Sequence, residues 1–239
     1  MSNAIYSALS RQAALELELG SLANNIANAS TAGFRGDGQI FSEYVNAVPG
    51  QPSISQTRIG GRLIDARQGD FIQTSGKLDL AIEGKGFFVV ETPRGERLTR
   101  AGAFQLNQQG FLVTSEGDLV HGAGGGSIAI AEGAGEPIIS RDGVVSVDGA
   151  VIGQIRIADA DPTLLVREGA THFLAGGTLT DIEPALRQGF IEASNVAPVL
   201  ELSRLIEVQR AFELGQQLLT NEEARIQRAI SILGGGRQQ

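Results

Sequence analysis

The chain has 239 residues, 42% of them hydrophobic, enough to build a sizeable core and too many for a chain disordered throughout. Its net charge is −8 and its 19 Lys and Arg are scattered, which excludes nucleic acid as the principal ligand, because neutralising phosphates requires clustered basic side chains. The absence of cysteine excludes disulfides, thiolate metal sites and thiol catalysis.

The N-terminus, "MSNAIYSALSRQAALELELG", has neither a basic segment followed by an unbroken apolar run nor 18 consecutive apolar residues. It therefore reads as neither a cleavable secretory signal nor a membrane span, and export would need another route. Apolar positions recur at gaps of three and four through Ile5, Ala8, Gln12, Leu15, Leu19, Leu22 and Ile26, which predicts a helix with a seam. The run "LANNIANASTAGF" (22–34) then turns polar, small and uncharged together, with Asn24, Asn25 and Asn28 among alanines. Gly33 is the expected stop, since it accepts the left-handed backbone that follows many helix ends, although the end can fall a few residues earlier. From 34 to 70 Gly, Pro and Ser punctuate irregular apolar spacing, which reads as an extended linker or short hairpin.

From 71 to about 190 the period shortens. "KLDLAIEGKGFFVVETPRGERLTRAGAFQLNQQGFLVTSEGDLV" consists of short β-branched and aromatic runs separated by Gly-containing turns, and Asp-Gly pairs at 142–143 and 148–149 supply residues that accept positive φ. A mostly antiparallel β domain is expected here. The helical period returns after "GFIEASNVAP" in Leu202, Leu205, Gln209, Phe212, Gln216, Leu219, Glu223, Ile226, Ile230 and Leu233. At about 1.5 Å per residue, a helix from 199 to 233 reaches roughly 50 Å, too long to hide on a small β domain.

The expected fold class is thus α+β. The parts are an N-terminal helix (1–33), a linker or hairpin (34–70), a central β domain (71–190) and a C-terminal helix (191–239), the two helices pairing as a coiled-coil-like layer. Polar members interrupt both seams, which leaves two readings: an intramolecular two-helix stalk, or helices that finish folding only against other subunits. On the second reading Asn24, Asn25 and Asn28 bond across a crowded helical interface, while Ala23, Ala27 and Ala29 let backbones approach.

Three ordered stretches carry a family resemblance. "LGSLANNIANASTAGFRG" (19–36), "GKLDLAIEGKGFFVVETPRGERLTRAGAFQLNQQGFLVTSEGDLV" (76–120) and "RQGFIEASNVAPVLELSRLIEVQRAFE" (187–213) resemble bacterial flagellar rod and hook proteins. The opening "NAIYSALSRQ" is most like the proximal-rod members, with the distal-rod members as the alternative. Departures are small, with Ser30, Ala32 and Arg35 standing where the family often has other residues, and "NVAP" where "NVN" is frequent.

The resemblance implies a non-enzymatic axial subunit that helps transmit torque from motor to hook. It also implies export through the flagellar type III apparatus without a cleaved signal, and residence in the basal-body rod that spans the periplasm. The implied partners are copies of itself and other rod subunits, with no cofactor, no nucleic acid and no membrane insertion. The implied subunit-contact residues are Leu15, Leu19, Leu22, Asn24, Asn25, Ile26, Asn28, Thr31, Gly33 and Phe34 near the N-terminus. Near the C-terminus they are Asn195, Leu202, Leu205, Ile206, Gln209, Arg210, Phe212, Leu219 and Ile226.

The competing class is an enzyme with a β domain and a dimerising helical stalk, but the sequence offers little chemistry for one. Ser127 in "GAGGGS" lacks the nucleophile-elbow pattern, and "TSGKL" lacks the earlier glycine and the hydroxyl of a phosphate loop. His121 and His172 have no zinc-type spacing and read as surface or loop residues. Asp159 and Asp161 in "ADADP" read as a solvated turn rather than a calcium site. Arg204 and Arg210 are candidates for pairing with carboxylates of a neighbour.

Overall fold

The computed structural model describes residues 2–46, 54–131 and 133–235, with side chains at 7–39, 63–131 and 133–232. Contacts divide the chain into two units. One comprises 1–26, 37–63 and 198–239, and the other comprises 27–36 and 64–197.

In the first unit, helix α1 spans Ser2–Ala27 and helix α2 spans Pro198–Gly235. Proline opens α2 where its missing N–H costs nothing, and Glu201 places a negative charge in the first turn, where the helix dipole favours it. Hydrogen bonds link Gln12 Nε2 to the Phe212 carbonyl (3.1 Å) and Asn25 Nδ2 to Glu201 Oε2 (3.2 Å), and Arg204 pairs with Glu18 at 2.8 Å. Partner numbers fall along α2 as they rise along α1, so the helices run antiparallel. The segment read as an extended linker or short hairpin contains two long strands, Asp37–Asn46 bonded to Ile54–Ile64. Asn25 anchors it, since its Nδ2 donates to the Asp37 carbonyl and its Oδ1 accepts from the Asp37 N–H, both at 2.9 Å.

The second unit is built on a nine-stranded sheet whose pairings are antiparallel. Its central strand, Phe87–Thr92, begins with the run "FFVV", and alternation along a strand sends these side chains to opposite faces. Phe88 and Val90 enter one apolar cluster with Leu80, Phe104 and Ile157, while Phe87 and Val89 enter another with Leu98, Leu165 and Phe173. A separate three-stranded sheet runs through Ile138–Ile139, Val144–Val147 and Ala150–Gln154, and its Asp148–Gly149 turn has positive φ at both residues. Two short pairs, Leu80–Ile82 with Leu186–Gln188 and Phe71–Gln73 with Phe190–Glu192, bring the stretches before and after the sheet together.

Candidate assembly surface

The inward stripe of α2 keeps three of the expected seam positions and departs at the others. The less exposed positions are Glu201, Leu205, Val208, Phe212, Gly215, Leu219 and Glu222, with gaps of four and three, and Ala211 beside them. Leu205, Phe212 and Leu219 hold the expected places, whereas Leu202, Gln209, Gln216 and Glu223 lie outside the stripe and are exposed, as are Ile206 and Arg210. The alternate register shares every second position with the observed one, and the residue that decides between them is Gly215. A Cβ there would lie 2.4 Å from Gln12 Oε1, so the missing side chain is what admits Gln12.

On α1, Leu22 is buried and Leu15, Leu19 and Ile26 are half-buried. A second track of Ala14, Ser21 and Asn25 is fully buried beside them.

α2 leaves several large apolar side chains outside among its exposed polar ones. Leu202 (51% exposed), Ile206, Leu214 (66%), Leu218, Ile226 and Ile230 (63%) follow one row at intervals of four or eight, with Arg210 in one gap and Glu222, where the row crosses the inward stripe, in the other; Val199, Leu200 and Ile232 are exposed off this row. Such an i, i+4 row advances about 40° per step and winds around the helix, so its members face different directions along the length. Scattered exposed leucines are ordinary, and this row is distinguished from them by its regular spacing. Arg204 is paired with Glu18 of its own chain.

The polar residues expected at subunit contacts have work inside the chain. Asn195 Oδ1 accepts from the Gly36 N–H (2.8 Å), its Nδ2 donates to the carbonyls of Asp65 (3.0 Å) and Arg67 (2.8 Å), and its own N–H reaches the Phe34 carbonyl (3.4 Å). Phe34 is wholly buried with the Arg167 guanidinium over its ring. α1 ends at Ala27, before Gly33, and Gly33 has φ +72° with a virtual Cβ 2.2 Å from the Ala101 nitrogen. No other residue fits there. Thr31 turns back on Asn28, its N–H reaching the Asn28 carbonyl at 3.0 Å.

Beside this clasp lies a buried ionic cluster that no local pattern announces. Glu192, 1% exposed, accepts from Arg35 at 2.7 Å on one oxygen and from Arg100 at 2.9 Å on the other. Arg35 also reaches the Ala66 carbonyl, and Arg100 those of Ile82 and Gly84. Burial pushes the Arg100 guanidinium down to about 10, against the pull of Glu192, and pushes Arg35 down for the same reason. The charge is expensive to bury, so the cluster selects one arrangement of strands more than it adds net stability.

His172 is not a surface residue, since it is buried at the start of strand His172–Ala175. Asp161 is a solvated turn residue that caps the short 3-10 helix Pro162–Leu164 by accepting from the Thr163 N–H. Among the described residues no helix is long and apolar enough to cross a membrane.

The chain is 38% identical to the flagellar basal-body rod protein FlgF of Mesorhizobium japonicum, over 98% of this chain and 99% of the relative. The chain belongs to the flagellar basal-body rod protein family. The FlgF of Caulobacter vibrioides is 36% identical over 98% of this chain and 99% of the relative. The FlgG of Bacillus subtilis is 31% identical over 97% of this chain and all but 1% of the relative. Three family descriptions match in order: Flagella basal body rod protein (5–35), Flagellar hook protein FlgE/F/G D1 domain (81–147) and Flagellar basal body rod FlgEFG protein C-terminal (187–232). The first covers α1 through Arg35, and the last covers Glu192, Asn195 and the ridge of α2. Within the rod family this protein is most similar to FlgF.

Proposed function

We propose that this rod-family protein is a structural axial subunit of the proximal rod. Its terminal helices, paired as a coiled-coil-like layer, would form the inner wall of a helical assembly with copies of itself and other rod subunits. The observation that carries this reading is the winding apolar ridge of α2. One partner cannot cover side chains that face around a helix, but neighbours stacked about an axis can. Contacts repeated by a rotation and a rise do not close on themselves, so one kind of surface suffices to extend a tube.

Torque then passes through the helical layer. The chain reaches the rod unfolded through the flagellar type III export apparatus. The proximal position is favoured over the distal by the alignments, which run 239 positions against the FlgF of Mesorhizobium japonicum and 267 against the FlgG of Bacillus subtilis. A distal subunit with a longer insertion is the second reading.

The test is to complement a strain lacking this protein with Leu202→Asp and, separately, Ile226→Asp. Both residues are exposed, so each purified variant should melt within a degree or two of the parent, while swimming and recovery of the subunit in isolated basal bodies are lost. Normal motility with either charge in place would overturn the assembly reading.

A further inference from the structure

We propose that His172, Asp118 and Glu116 form a binding site for a divalent cation of the zinc class. His172 opens a strand of the nine-stranded sheet, registered opposite Thr99, and is 7% exposed. Its Nε2 faces Asp118 Oδ2 at 3.1 Å, yet the geometry is off line and the nitrogen makes no hydrogen bond among the described residues. A buried polar atom in that condition calls for a ligand.

The acidic partners come from the turn between strands Leu112–Thr114 and Leu119–Val120. Asp118 is fixed there, its N–H on Thr114 Oγ1 (3.1 Å) and its carbonyl receiving the Thr114 N–H (2.9 Å). Glu116 stands further out in the same turn, its carboxylate 57% exposed and 3.6 Å from His172 Nδ1.

One donor atom from each of the three residues lies within 4.8 Å of the others, and among the described residues no other set of three or more His, Asp or Glu does this. Two ligand atoms about 2.1 Å from a tetrahedral zinc stand roughly 3.4 Å apart, close to the spacing of His172 Nε2 and Asp118 Oδ2. One imidazole and two carboxylates suit zinc or a metal of similar softness. Magnesium and calcium would need more oxygen ligands. The two carboxylates also supply the negative charge that a divalent ion neutralises, and water completes the coordination. The ion would tie the Thr114–Leu119 turn to a strand three places away in the sheet from the nearest strand of that hairpin, bracing the β unit across Gly95–Thr99 and Phe87–Thr92.

The experiment uses the untagged full-length protein, stripped with chelator and titrated with zinc chloride by calorimetry, with cobalt as a spectroscopic substitute. Saturation at one ion per chain, a rise in melting temperature and the visible absorption of tetrahedral cobalt are expected. His172→Gln and Asp118→Asn should abolish all three. Glu116→Gln should weaken zinc by at least about tenfold, since even indirect partners of a ligand cost that much. Because Glu116 is exposed, that variant keeps the metal-free melting temperature and so tests the site even if the other two fold poorly. Magnesium and calcium chloride at equal concentrations should give no shift. Absence of saturable binding to the parent chain, or zinc binding to Glu116→Gln and His172→Gln as tight as to the parent, would overturn the proposal and leave His172 and Asp118 as an ordinary buried pair.

Discussion

The β unit and the helical unit treat their side chains in opposite ways. In the β unit even charges are taken inside and matched, as in the bonds of Glu192 to Arg35 and Arg100. In the helical unit leucines and isoleucines stand in water along α2 while carboxylates occupy the stripe that faces inward. A chain able to bury two guanidinium groups does not lack the means to bury leucine. The contrast therefore separates a unit that buries and matches even its charges from one that leaves apolar side chains exposed, the difference on which the proposed function rests.

The sharpest way to break this contrast is Glu192→Gln. It leaves two buried guanidinium groups facing a neutral amide and should cost about 3–5 kcal/mol in urea unfolding, the usual penalty for removing one member of a buried ion set. A loss under about 1 kcal/mol would show that the β unit does not depend on that match. Asn195→Ala removes one acceptor and two donor contacts and should cost about 1–3 kcal/mol, read as a lowered denaturation midpoint with unchanged slope.

In the helical unit the effects shrink. Gly215→Ala should be near neutral in the parent chain, because the gain in helix propensity is offset by collision with Gln12. In a Gln12→Ala background the same change should stabilise by about 0.8–1.0 kcal/mol. Equal effects in both backgrounds would deny the close approach at that glycine. Smallest is Arg204→Ala, which breaks a largely exposed ion pair and should move stability by no more than about 0.5 kcal/mol.

The sequence made the helices, the antiparallel sheet and the turn at Asp148–Gly149 legible because each leaves a local period or a demanding turn residue. Leu205, Phe212 and Leu219 were legible for the same reason. The rest of the α2 stripe was not, since Glu201, Gly215 and Glu222 carry no apolar signal, and starting the register at apolar Leu202 passes over Val208 for Gln209. Asn25 stood out as a carboxamide in unusual company and Asn195 through the family resemblance, but their partners, the backbones of Asp37, Gly36, Asp65 and Arg67, are invisible to any pattern of side chains. Arg35 and Glu192 meet from opposite ends of the sequence, and neither stretch contains the other's cue. In the 34–70 segment the hairpin was one of two readings, and the length of its strands was not legible because its glycines and serines imitate a linker, whereas paired strands need only a continuous backbone to bond.

The link between Asn195 and Phe34 has a kinetic consequence. Gln12 and Phe212 are separated by 200 residues of chain, and bringing such distant points together is slow and entropically unfavourable. Once the β unit is folded, the path between them through that link shrinks to roughly forty residues, lowering the closure cost by about 1.4 kcal/mol, a tenfold gain in the equilibrium for pairing the helices. The chain thus carries its own order of events: closing the sheet first lets the two helices meet at the lower cost.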